Sequence, residues 1–203
     1  MSETVYTIGH SNHPAERFID LLSAHGIVAV CDVRSTPYSQ FTPQFNRTEL
    51  KHLLPQYGIR YIFLGAELGA RSDDRACYTN GKINYQLLSG TPLFQSGLAR
   101  IQEGLKKNFR IALMCAEKEP LECHRFVLVS RALATLGLEV QHIHADGSLE
   151  SHADALVRLA DLVHVPEADL FRSAEELRDE AYYRQELRIA YEAEPAEAIV
   201  AAG

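Results

Sequence analysis

Residues 27–37, IVAVCDVRSTP, run from an uninterrupted apolar stretch straight into alternating charge and then a proline. Ile27 to Val33 lacks the in–out alternation of a half-exposed strand, which is the pattern of a strand buried on both faces. Strands of that kind belong to parallel sheets covered by helices. Working outward, Thr4 to Gly9 (TVYTIG), Ile59 to Leu64, Phe109 to Cys115 and Leu138 to His144 also read as strands. Helical patterns separate them. Pro14 opens a helix with Phe18, Leu21, Leu22 and His25 at helical spacing and Gly26 at its close. A second runs from Arg47 to Tyr57, a third from Leu93 to Lys107, and a fourth from Pro120 to Leu136 with Gly137 closing it. Five strands alternating with four helices predict an α/β fold: a mainly parallel five-stranded sheet with helices on both faces.

The 203 residues suit one domain with an appendage, and 46% hydrophobic with 23% charged residues excludes disorder. No apolar run approaches the roughly 20 residues that span a bilayer, so no membrane role is expected. The formal charge of −7 is uneven: residues 148–203 hold 13 acids and 5 bases, leaving the first 147 residues nearly neutral. Duplex nucleic acid is therefore disfavoured as a partner, because phosphate neutralisation needs clustered Lys and Arg. Four cysteines without a C-x-x-C, and a polar Met1-Ser2-Glu3 start, read as a reduced, cytoplasmic protein.

The chain divides into an α/β domain, 1–147, and an acidic helical extension, 148–203. Ser151-x-x-Asp154 and Ser173-x-x-Glu176 each look like a helix start. The apolar residues after them predict two amphipathic helices packed on the body or, as a homodimer, on a second subunit. Residues 194–203 are expected to fray. The connection over 65–92, with five glycines or prolines, is long enough to suggest a lid or binding loop.

In open parallel sheets, ligands bind beyond the carboxyl ends of the strands. The residues arriving at that edge are chemically dense. The first strand delivers His10, Ser11 and Asn12; the second delivers Asp32 and Arg34, then Tyr38. The fourth delivers Cys115, Glu117 and Lys118, with Cys123, His124 and Arg125 following.

The stretches YTIGHSN (6–12), DVRSTPYSQFTPQFN (32–46), MCAEKEPLECHR (114–125) and GLEVQHI (137–143) resemble the family called domain of unknown function 488. The segment at 169–191 is similar to the closing segment of its longer members. The resemblance implies the fold and the site; the family's name implies no reaction.

Cys115 closes a strand ahead of an expected helix N-terminus, where a thiol is activated; the alternative is a small buried hydrophobe. Glu117 suits general acid–base work or the role of a helix-terminus carboxylate. Asp32 and His10 suit an acid–base dyad or a hydrogen bond tying two loops. Arg34 and Arg125 suit an anionic ligand, with an internal salt bridge from Arg125 to Asp32 as the alternative. Cys115, Cys123, His124 and His10 are zinc-ligand types, yet C-x7-C-H is not a usual metal spacing, so no metal is expected. Nothing names a cofactor. Tyr38, Phe41 and Phe45 either stack a base or pack on the sheet edge. These readings favour an enzyme acting on a small polar, nucleotide-like ligand through Cys115, Glu117, Asp32 and His10. A nucleotide or nucleic-acid binding module using the Arg34–Asn46 loop is the second reading. An interaction protein working through its acidic tail is the third.

Overall fold

The apolar runs pair side by side in a single sheet in the computed structural model, which describes residues 3–193. In chain order the elements are β1 (Thr4–Gly9), α1 (Ala15–Ala24), β2 (Ala29–Asp32), α2 (Arg47–Leu53), β3 (Arg60–Phe63) and the one-turn α3 (Gly65–Leu68). A hairpin of β4 (Tyr78–Thr79) and β5 (Lys82–Ile83) follows, then α4 (Tyr85–Ser89), α5 (Pro92–Lys106), β6 (Ile111–Cys115) and α6 (Arg131–Thr135). The chain continues through β7 (Glu139–Ile143), β8 (Leu149–Ser151), α7 (His152–Leu162) and α8 (Ala174–Ile189).

The main sheet has the order β3-β2-β6-β1-β7-β8, with every pair parallel except β7–β8. It therefore has six strands, not the expected five. The sixth, Leu149-Glu150-Ser151, has no apolar periodicity to betray it; Gly147, at φ 97°, turns the chain back onto the β7 edge. Along β6 the side chains alternate between two cores. Ile111, Leu113 and Cys115 face α5 and the C-terminal helices, while Ala112 and Met114 face α1 and α2.

Two segments depart from the sequence expectation. Residues 65–92 are not an open loop: α3, the β4–β5 hairpin and α4 occupy them, and Ile83 N–H donates to the Tyr191 carbonyl at 2.9 Å. The fourth helix does not run from Pro120. A short 3-10 turn covers Pro120–Glu122, Cys123 is extended, and a π-helical stretch, Arg125–Ser130, precedes α6. Those six π-helical residues are all buried, enclosed by the sheet and by α8. π-Helical insertions occur frequently at functional sites.

The extension docks on the body. Ser151 accepts a hydrogen bond from Asp154 N–H, and Ser173 with Glu176 forms both bonds of a capping box. Leu159, Val163, Leu177, Ala181 and Tyr182 are buried. Leu170 and Phe171, in the connection between α7 and α8, instead project into solvent at 94% and 93% exposure. Tyr183 faces outward while its neighbour Tyr182 is buried, since successive residues of α8 point about 100° apart; Tyr191 lies beyond the end of α8. The expectation for residues 194–203 lies outside the described residues. No helix among the described residues is long and apolar enough to cross a membrane.

A buried hydrogen-bond chain joins sheet to tail: Thr7 Oγ1 to His142 Nδ1 at 2.7 Å, His142 Nε2 to His152 Nδ1 at 3.1 Å, and His152 Nε2 to Tyr182 OH at 2.8 Å. Burial holds the His152 pKa down at about 4, from 6.5, and burial together with His152 holds His142 well below 6.5. Both rings therefore fold neutral and bind a proton more readily when unfolded. Their contribution is complete above pH 6.5 and is lost as pH falls toward 4. For His152 this amounts to about 2 kcal/mol lost between pH 7 and pH 5, and His142 acts in the same direction. Urea midpoints across that range should show a shallower pH dependence in His152→Gln. An unchanged slope in the variant would show that the ring does not couple folding to protons.

Candidate functional site

Connections leave β1 and β2 through α1 and α2 on one face, whereas β3 and β6 connect through α5 and α6 on the other. The carboxyl end of β6 thus lies between two strands whose chains depart the opposite way, the arrangement that opens a crevice in α/β sheets. Register brings the ends together: Gly9 pairs with Cys115, and Asp32 with Met114. His10 N–H donates to the Cys115 carbonyl and Ser11 N–H to the Ala116 carbonyl, each at 2.9 Å. The 116–118 turn presses onto β1 so closely that a Cβ on Gly9 would lie 1.9 Å from the Glu117 carbonyl oxygen. Only glycine fits there.

Asp32 is fully buried, and its oxygens are saturated. Oδ1 accepts from Arg34 Nε at 2.9 Å and from Arg34 N–H at 3.2 Å; Oδ2 accepts from Arg34 Nη2 and Tyr61 OH, both at 2.7 Å. Arg34 also donates to the Phe45 carbonyl at 2.8 Å and, from Nη1, to His10 Nε2 at 2.9 Å. Arg34 needs an acceptor at Nε2, so the His10 ring proton sits on Nδ1, which donates to the Ser11 carbonyl at 2.8 Å. Burial and the adjacent Arg34 hold the His10 pKa down at about 4. The direct Asp32–His10 dyad is thus not formed: Arg34 stands between them, and neither partner keeps a free proton acceptor. Arg34 itself is committed internally.

Arg125 is likewise committed. Its fully buried guanidinium donates to the carbonyls of Glu117, at 2.6 Å, and Lys118, at 3.2 Å. Its side chain is withdrawn from the surface, and its partners are backbone carbonyls rather than Asp32. Its work is to pin the turn that carries Glu117.

The thiols and imidazole form a second group. Cys115 Sγ lies 3.6 Å from His124 Nδ1, and Cys123 Sγ lies 3.8 Å from the same atom. His124 Nε2 donates to the Val33 carbonyl at 3.1 Å, which orients the ring. Arg125 N–H donates to Cys123 Sγ at 3.4 Å, and the Cys123 thiol donates to Glu117 Oε2 at 3.0 Å. Burial pushes the Cys115 thiol well above its ordinary value. At Cys123 burial acts in the same sense, but Cys115, Arg125 and His124 outweigh it and hold the thiol low. Lost hydration and the Cys123 sulfur raise Glu117. The helix N-terminus expected after Cys115 is not there; a 3-10 turn intervenes, and the π-helical segment begins just after Cys123 and His124.

At the rim, Glu117, Lys118, Asn12 and Tyr38 are exposed and Ser11 is half-buried. In the 34–46 loop Phe45 is buried, stacked 4.4 Å from His10, while Tyr38 and Phe41 are 71% and 86% exposed. The loop thus divides its aromatics between the two expected uses. Sequence reasoning missed Tyr61; a tyrosine on a half-buried strand needs a partner for its hydroxyl, which was the available signal. A groove of about 610 Å³ lies elsewhere, lined by Tyr85, Leu98, Arg131 and Tyr183, and holds none of these sulfur or imidazole groups.

The fold and this edge define an α/β protein with a polar, sulfur-containing centre at a topological switch point. The family model described as Domain of unknown function DUF488 matches residues 14–132, more than half of the chain, and the protein belongs to that family. No curated protein and no solved structure matches the chain.

Proposed function

We propose that the protein is an enzyme acting on a small polar, nucleotide-like ligand at this edge, with Glu117 transferring the proton. The observation that carries the reading is Glu117 itself: a residue at the exposed rim whose carboxyl is partly withdrawn from water, with Oε2 resting on the buried Cys123 thiol. Its backbone is held by Gly9 and Arg125, so the carboxyl is positioned rather than free. Such pre-positioning is what general acid–base catalysis requires. Asp32, Arg34 and His10 serve as the scaffold beneath it. Ser11, Asn12, Tyr38 and Lys118 supply the ligand-facing rim. Four unpaired cysteines, all buried, support a reducing, cytoplasmic location.

Turnover of a panel of nucleosides, nucleotides and related polar amides tests this. Glu117→Gln should lose about 10²–10⁴-fold in turnover while retaining ligand binding. Equal turnover in wild type and Glu117→Gln removes the proposal. The exposed rings of Tyr38 and Phe41 favour a second reading, a non-catalytic nucleotide or single-stranded nucleic-acid binder. In that case Tyr38→Ala should weaken binding by about 1–3 kcal/mol per stacked base, and Glu117→Gln should change nothing.

A further inference from the structure

Cys115, Cys123 and His124 present three ligand atoms that all lie within 4.8 Å of one another. From this geometry we infer a binding site for a zinc-class divalent ion, with three protein ligands and a fourth position beside Glu117. The distances match the ion's needs. Zinc bonds of about 2.3 Å to sulfur and about 2.0–2.1 Å to nitrogen, set tetrahedrally, place sulfur and nitrogen about 3.5–3.6 Å apart. The two sulfur–nitrogen separations here are 3.6 and 3.8 Å.

The surroundings match as well. A ligating imidazole normally donates its other N–H to a carbonyl or carboxylate, and His124 Nε2 does so to Val33, turning Nδ1 toward the sulfurs. The Arg125 N–H on Cys123 Sγ supplies the hydrogen bond a bound thiolate keeps. Two thiolates with one imidazole select zinc-like ions over magnesium, calcium or manganese. Closed structural sites use four protein ligands, whereas three leave a position for water or substrate. Glu117, exposed at the rim, brings its Oε2 to 3.0 Å from Cys123 Sγ. The C-x7-C-H spacing conceals the site because one ligand ends a strand while the other two precede a helix.

The site borders the crevice of the proposed function but does not depend on it, since metal binding is read without substrate. The full chain, dialysed and reloaded with zinc alone, should retain about one equivalent by mass spectrometry. Cobalt reloading should give a thiolate-to-cobalt charge-transfer band. Cys123→Ser and His124→Ala should bind zinc at least about tenfold more weakly. Less than half an equivalent in the unaltered chain, or wild-type affinity in Cys123→Ser, overturns the inference. If the variants do not fold, the unaltered chain decides: cobalt bound without a thiolate band also overturns it. Loss of turnover in Glu117→Gln with zinc retained would separate the two proposals.

Discussion

A chain ending at Gly147 should fail to fold cooperatively. The removed segment carries β8, α7 and α8, and with them buried Leu159, Val163, Val165, Leu177 and Tyr182. Burying each side chain of this size contributes about 1.5–3 kcal/mol, so together they amount to on the order of 10 kcal/mol. That is comparable to the roughly 5–15 kcal/mol that holds a whole domain. Truncation also strips the His152 and Tyr182 rings from Phe126, leaves Leu121 O without the Gln185 amide, and frees the β7 edge. Polar losses add to apolar ones. The acidic character of the segment does not oppose docking, because its carboxylates lie mainly on outward faces or pair with arginines, as Asp179 does with Arg131 at 2.7 Å. Circular dichroism during heating is the direct measurement. A sharp transition for residues 1–147 at the full-length temperature would show that the extension merely rests on the body. Limited proteolysis of the intact chain should correspondingly spare everything through Tyr191.

Asp32→Ala should cost about 3–5 kcal/mol, because it leaves the Arg34 guanidinium buried without its counter-charge. For a chain of this length that is a fall of about 6–20 °C in Tm. The carboxylate accepts four hydrogen bonds, so Tyr61 OH loses its partner as well. Replacing both members with apolar groups, Asp32→Ala with Arg34→Met, should recover part of the loss, since the uncompensated charge is gone. Were Arg34 instead held ready for an anionic ligand, Asp32→Ala would be well tolerated and would tighten anion binding. A small change in Tm with stronger phosphate binding is thus the result that would falsify the scaffold role. The pair matters beyond stability. Arg34 also fixes the His10 tautomer and holds the Phe45 carbonyl, so its loss should loosen the 34–46 loop and the rim it carries.

Local pattern and tertiary structure contributed different things. Uninterrupted apolar runs at 27–31 and 111–115, too short for a helix and bounded by turn residues, pointed to strands buried on both faces. Parallel strands in turn required helical crossovers, and the Ser173–Glu176 signal placed a helix start that the structure keeps. The gathering of cysteines, acids and bases at one edge was legible for the same reason: strand ends share an edge once the strands are parallel. Which of those groups meet was not legible. Arg34 turns inward to Asp32 and His10, and Arg125 grips the carbonyls of 117 and 118. Cys123 and His124 swing back onto Cys115 because the chain is extended at Cys123 instead of helical from Pro120. The three residues of β8 pair only because the turn at Gly147 delivers them to an open edge. Hydrogen-bond partners are chosen by distance between segments remote in sequence, and by the cost of leaving a buried polar group unmatched. Both quantities exist only once the sheet order and the packing of its two faces are settled.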